Sequence, residues 1–82
     1  MDSLIEKLQP KNAFAVVPSD TTDLLHVAVA LYVGTSGDVT VDTLGGDTVT
    51  FKNVPIGDLI GPFRRVRSTL TTASNILARY SS

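Results

Sequence analysis

Residues 31–53, LYVGTSGDVTVDTLGGDTVTFKN, leave this chain few folds to choose from. Apolar and polar side chains alternate through Val39-Thr40-Val41-Asp42-Thr43 and again through Thr48-Val49-Thr50-Phe51-Lys52. A period of two marks strands with one buried and one wet face. Glycine turns punctuate the runs: Gly34-Thr35-Ser36-Gly37 follows Leu31-Tyr32-Val33, and Leu44-Gly45-Gly46-Asp47 separates the alternating segments. Tight hairpins need positive φ, which glycine reaches without steric cost. The expectation is an antiparallel meander, with Val49 and Phe51 inward and Thr48, Thr50 and Lys52 outward. A register slip of one residue would turn its apolar face to water.

The flanking segments extend the pattern. Phe14–Val17 reads as a short strand ending at Pro18. Ser19-Asp20-Thr21-Thr22-Asp23 is a cluster of small oxygen-bearing side chains suited to accepting turn amides. The same oxygens suggest a Ca²⁺ site, but their spacing fits no calcium loop, so turn chemistry is expected. Leu24–Val33 reads as the longest strand, with Leu25, Val27, Val29, Leu31 and Val33 on one face. His26, Ala28, Ala30 and Tyr32 occupy the other, so this strand should be central or covered on both sides. His26 is expected to be a partly buried, hydrogen-bonded histidine. Val54–Pro62 holds two prolines and two glycines and reads as a loop, with Ile56, Leu59 and Ile60 closing one end of the core. Phe63–Leu70 is a further strand, with Phe63, Arg65 and Arg67 on one face, Val66 and Leu70 on the other, and Arg64 at that face's rim. Thr71–Ser74 turns, and Asn75–Tyr80 is the last strand. Six strands suit an all-β fold, a small antiparallel β-barrel or β-sandwich. Ahead of it, Asp2–Leu8 can form one or two helical turns with Leu4, Ile5 and Leu8 on one face, stopped by Pro10. So short a helix is marginal alone. We read residues 1–12 as an N-terminal arm and 13–82 as the β domain of a single-domain chain.

An 82-residue chain buries only about 60% of its unfolded surface. Without cysteine it has no disulfide and no thiolate zinc site, and one histidine builds no metal site. Association is the remaining way to stabilise a small domain. A net charge of −1 argues against nucleic acid as a partner. The charge is uneven along the chain: Asp20 to Asp58 contains six aspartates and one lysine, whereas 62–82 contains four arginines and no acid. On different faces, these would let one copy's acidic side meet a neighbour's basic side. The plainer reading is solvated strand faces. Arginine's rigid donor fork suits interfaces, so Arg64, Arg65, Arg67 and Arg79, with Leu4, Ile5 and Leu8, are the candidate interface residues. The longest apolar run, Val27–Val33, is far short of the ~20 residues of a membrane span, and residues 1–11 lack the basic and apolar regions of a signal peptide. No membrane partner is expected, and synthesis is expected in the cytoplasm.

Motifs for chemistry are missing. Ser36 sits in a hairpin context, not a nucleophile elbow. Gly34 and Gly37 lack the lysine and following helix of a phosphate loop. Asp38, Asp42 and Asp47 read as turn and solubility residues at exposed strand ends. No catalytic residue, cofactor or metal is therefore expected, and the chain does not read as an enzyme. A carbohydrate-binding adhesin domain is the alternative from another class; it would need Tyr32 and Tyr80 together on the surface, since there is no tryptophan. A nucleic-acid site built on Arg64, Arg65, Arg67 and Phe63 is weakened by the acidic balance.

Five markers occur in order: Pro18, Ser19, Asp20, Thr22 and Asp23; Leu31 to Gly34; Gly37, Asp38, Val39 and Val41; Gly45, Gly46, Thr48, Val49 and Phe51; and Thr71 to Ala73 with Asn75 to Leu77 and Tyr80. From about Phe14 to Tyr80 the chain resembles the small spike-base proteins of tailed bacteriophages and gene transfer agents. The resemblance implies a structural virion protein, a capsid-attached base at the fivefold vertices. Its partners would be the major capsid protein on one side and a spike or fibre protein on the other. It would form a homo-oligomer, pentamer or trimer. Two departures stand out: Leu70 occupies a position where glycine is expected, and no spike-forming extension follows Ser82. A capsid decoration (cement) protein or a minor tail component is the alternative within the same class.

Overall fold

The computed structural model describes residues 12–81. Among these residues there are six strands: β1 Asn12–Ala15, β2 Ala28–Thr35, β3 Gly37–Thr43, β4 Thr48–Val54, β5 Gly57–Val66 and β6 Ser74–Tyr80. They form one sheet in the order β1-β6-β2-β5-β3-β4, with every pairing antiparallel. The fold is all-β. The sheet stays open, with β1 and β4 as its edges, so the barrel alternative falls. One core joins its two ends: Leu31 and Val33 from β2, Val39 and Val41 from β3, Phe63 and Val66 from β5, Ile76 and Ala78 from β6, with Phe14, Val16, Leu24 and Phe51 packed against it. The sheet thus folds over a single core, as a sandwich does.

The second glycine turn is as expected. β3 and β4 form a hairpin closed by Thr43 N–H to Asp47 O at 2.7 Å and Gly46 N–H to Thr43 O at 3.0 Å, with Gly46 at φ 102°. The first is different. β5 lies between β2 and β3, so Leu31–Asn53 is not a three-stranded meander. Gly34 and Gly37 are required by close approach, not by positive φ. A Cβ on Gly34 would stand 2.7 Å from the Asn75 carbonyl oxygen, and one on Gly37 would stand 2.6 Å from the Ala73 nitrogen.

The strand expected over Phe63–Leu70 begins and ends earlier. β5 starts at Gly57, inside the segment read as a loop, and runs through Pro62. Pro62 is tolerated because the register against β2 slips between Ala28 and Ala30, leaving an extra residue on β5 at Gly61-Pro62. That bulge lets β5 change partners: its first half pairs with β2 and its second with β3.

Residues 67–73 leave β5 and run beside the first half of β3. Arg67 N–H donates to Thr40 O at 2.8 Å, and the Thr72 and Ala73 amides donate to Asp38 O at 2.8 and 3.1 Å. In return the Thr72 and Thr71 hydroxyls accept the Asp38 and Thr40 amides at 2.8 and 2.9 Å. Side-chain oxygens thus complete a ladder where no strand is available, so Thr71-Thr72-Ala73 is more than a turn. This lid explains a second correction. Val39, Thr40, Val41 and Asp42 are all buried, so the alternation in β3 does not leave one face wet.

β2 is shorter than expected, and Leu25 and Val27 fall outside it, exposed. Within it Ala28, Ala30, Leu31 and Val33 are buried, and β2 is central between β6 and β5 as expected, but Val29 and Tyr32 remain exposed, so its second face is not covered. Residues 16–24 cross the open end: Val16 N–H reaches Ile76 O, Ser19 N–H reaches Val66 O and Leu24 N–H reaches Arg64 O, each at 2.9 Å.

Candidate interface surfaces

The four arginines are held by acids of the same chain. Asp42, only 1% exposed, is the centre. It lies opposite Arg65 in the β3–β5 register and opposite Thr48 in the hairpin. Its Oδ1 accepts from the Thr48 hydroxyl at 2.6 Å and from Arg67 Nε at 2.9 Å, and its Oδ2 faces Arg65 Nη1 at 3.6 Å. The register slip between Asp42 and Thr43 adds Arg64 to β5. Two consecutive residues then oppose one, and Arg64 and Arg65 both reach Asp23, at 3.2 and 2.8 Å. Asp20 accepts the Ser68 and Thr69 amides at 3.1 Å each and the Thr69 hydroxyl at 2.6 Å. Arg79 pairs with Asp58 at 2.7 Å on the outer face.

These bonds set the titration behaviour. Arg67, then Thr48, holds the Asp42 carboxyl down at about 2 from its usual 3.8, against the opposing effect of burial. Asp42 in turn raises Arg67. The Thr69 hydroxyl and amide lower Asp20, and the Asn53 amide lowers Asp38. Asp38 and Asp42 are therefore built into the fold, and Asp42 is not an exposed strand-end residue. The acidic and basic stretches do not occupy different faces; they meet within one chain. The Ser19–Asp23 cluster is turn chemistry: Ser19 Oγ accepts the Thr21 and Thr22 amides at 3.3 and 3.2 Å.

The exposed surface is instead apolar in two places. On the outer face of β6-β2-β5, Tyr32 pairs with Leu77, while Ala30 lies between Ile60 and Arg79. Ile60 is 71% exposed, with Tyr32 and Leu77 part-exposed beside it. The second place lies past the end of β1, where Val17 and Leu25 are each 85% exposed. They border a groove of about 160 Å³ with Phe14, Val16 and Leu24. Ile56 and Ile60, expected to close one end of the core, are exposed instead. The sequence signals for the outer face were a tyrosine in the most apolar strand, and Leu77 sharing its face with Arg79.

Tyr32 and Tyr80 lie on opposite faces, since Tyr32 pairs with Leu77 and Tyr80 is an odd number of residues further along β6. They do not form a sugar platform. His26 is exposed, not hydrogen-bonded in a core: its ring stacks on Tyr80 at 4.1 Å, with Phe14 edge-on to both. Leu4, Ile5 and Leu8 lie outside the described residues. Among the described residues no three acids or histidines are grouped for a metal ion.

Among the described residues the open β domain pairs its charges internally and leaves apolar side chains exposed. The chain is similar to a solved structure described as "Capsid of native GTA particle computed with C5 symmetry", at 31% identity and TM-score 0.76. The match covers 85% of this chain and 82% of that one. The chain belongs to that family of phage and gene-transfer-agent (GTA) virion proteins. No family profile matches it, and no curated protein does.

Proposed function

We propose that this protein is a capsid-attached base for a spike or fibre, acting through protein–protein contacts and carrying out no catalytic step. The supporting observation is similarity over most of its length to a chain of a capsid reconstructed with fivefold symmetry. The five sequence markers agree with it, and several of them hold the fold described above: Asp20 and Asp23 fix 64–69, and Thr71-Thr72 line β3.

The outer face of β6-β2-β5 is the proposed docking surface. Tyrosine, isoleucine, leucine and an arginine–aspartate pair there have the make-up of an interface core and rim. Among the candidate arginines, Arg64 and Arg79 keep about a third of their side-chain surface and remain available at a rim. Arg65, and Arg67 despite a similar 32% exposure, are bound to the buried Asp42 and serve the internal network. The partners are the capsid shell, a spike or fibre protein and further copies of this chain. Single contacts of modest strength become durable when several linked copies bind together.

Native mass spectrometry of the purified protein tests the reading. A pentamer is expected. A trimer would favour a cement role at threefold positions. A monomer that also binds a glycan array would replace the proposal with the adhesin reading. Ile60→Lys should abolish the oligomer without unfolding the domain.

A further inference from the structure

Among the described residues every buried side chain lies between Ala28 and Ala78, and residues 12–27 contribute none. We propose that residues 12–27, which are β1 and the crossing segment after it, form a strap that detaches as one unit while the rest of the sheet stays folded. β1 is then a removable cover for the outer edge of β6. The strap's apolar hold on the domain is limited to the half-buried side chains of Phe14, Val16 and Leu24, while Val17 and Leu25 face solvent. Without the strap, β6-β2-β5-β3-β4 remain a continuous ladder and supply the whole buried core.

The rest of the hold is polar and lies near the surface. The Val16, Ser19 and Leu24 amides donate to the Ile76, Val66 and Arg64 carbonyls, each at 2.9 Å. Asp20 accepts the Ser68 and Thr69 amides, and Asp23 pairs with Arg64 and Arg65. Exposed ion pairs of this kind contribute little and are screened by salt. Arg65 does not lose its last partner when the strap leaves, because its Nη1 also faces the buried Asp42 at 3.6 Å. Segments with few buried apolar contacts and many exposed hydrogen bonds open at a lower free energy than the whole domain. Opening frees β6 along 77–80, where β1 is now paired, and an unpaired edge is a template for another strand.

Native-state hydrogen exchange of the full-length protein, followed by NMR in low concentrations of urea, tests the strap. The Val16, Ser19 and Leu24 amides are expected to share one opening constant and one urea dependence. That constant should exceed the one for β2 amides by about tenfold or more. Asp23→Ala removes the pairs to Arg64 and Arg65 and should raise the shared constant about two- to fivefold, at Val16 as much as at Leu24. Exchange of the three amides as slow as that of β2 would overturn the proposal, because the strap would then open only with the whole domain. Unequal constants, or an Asp23→Ala effect confined to Leu24, would overturn it in favour of separate local openings. Absence of protection at all three would also overturn it, since no strap would then be held. None of these outcomes depends on where the protein sits in a particle.

Discussion

Replacing Asp42 by Asn keeps the volume of a buried side chain and removes its charge. The amide oxygen can still accept one bond, but Thr48, Arg67 and Arg65 now share a neutral partner. Breaking a buried ion pair from one side costs about 3–5 kcal/mol. Arg65 and Arg67 retain 17% and 32% of their side-chain exposure, so water recovers part of the loss. About 2–3 kcal/mol remains. The titration of Asp42 gives a similar figure: a carboxyl held at about 2 instead of 3.8 corresponds to about 2 kcal/mol. Against a total stability of roughly 4–12 kcal/mol for a chain of this length, that is a large fraction. The sign follows from the depressed carboxyl. Its contribution is complete above about pH 4 and is lost as pH falls towards 2. Urea unfolding of both proteins at pH 7, 4, 3 and 2 is the assay. The midpoint should drop with the slope unchanged, and the gap between the two proteins should nearly close by pH 2. A difference under about 0.5 kcal/mol at pH 7, the scale of an ordinary surface substitution, would refute the reasoning. So would a gap that stays constant from pH 4 to 2.

Leu70→Gly should stabilise the domain by up to about 1 kcal/mol: Leu70 sits at φ 66°, a left-handed conformation that costs a side chain roughly 1–2 kcal/mol, offset in part by glycine's entropy. Thermal unfolding reads this directly, and a lower midpoint would count against it. Thr72→Val should cost about 0.5–1.5 kcal/mol by removing the acceptor of the Asp38 amide, which water can partly replace at this exposed site, visible as faster hydrogen exchange at Asp38. Gly37→Ala should destabilise by about 1–3 kcal/mol, because the added methyl meets backbone at Ala73 that must shift; an unchanged denaturation midpoint would show that residues 71–73 yield freely.

Local chemistry in this chain is legible from sequence, and long-range pairing is not. The hairpin at Gly45-Gly46 announces itself because its strands and turn are contiguous, and Val39, Val41 and Phe51 reach the core, whereas Val49, expected inward, stays exposed. The insertion of β5 between β2 and β3 pairs residues 20 to 35 positions apart and leaves no periodic trace. Its bulges at Gly61-Pro62 and Arg64 explain why prolines suggested a loop and why the arginine faces were misassigned. Asp42 looked wet because alternation reports only which residues share a face; the lid from 67–73 that buries it comes from a segment read as strand and turn. The glycine expected at Leu70 is instructive in the other direction. The backbone at Leu70 adopts the positive φ that suits glycine, with a leucine side chain in place.

The proposed place of this chain is the capsid vertex. A reconstruction of particles that carry it, focused on the fivefold vertices, tests that most directly. Five copies are expected around each vertex, with Tyr32, Ile60 and Leu77 in contact with a neighbouring protein. Copies seated at threefold positions, or confined to the tail, would contradict it.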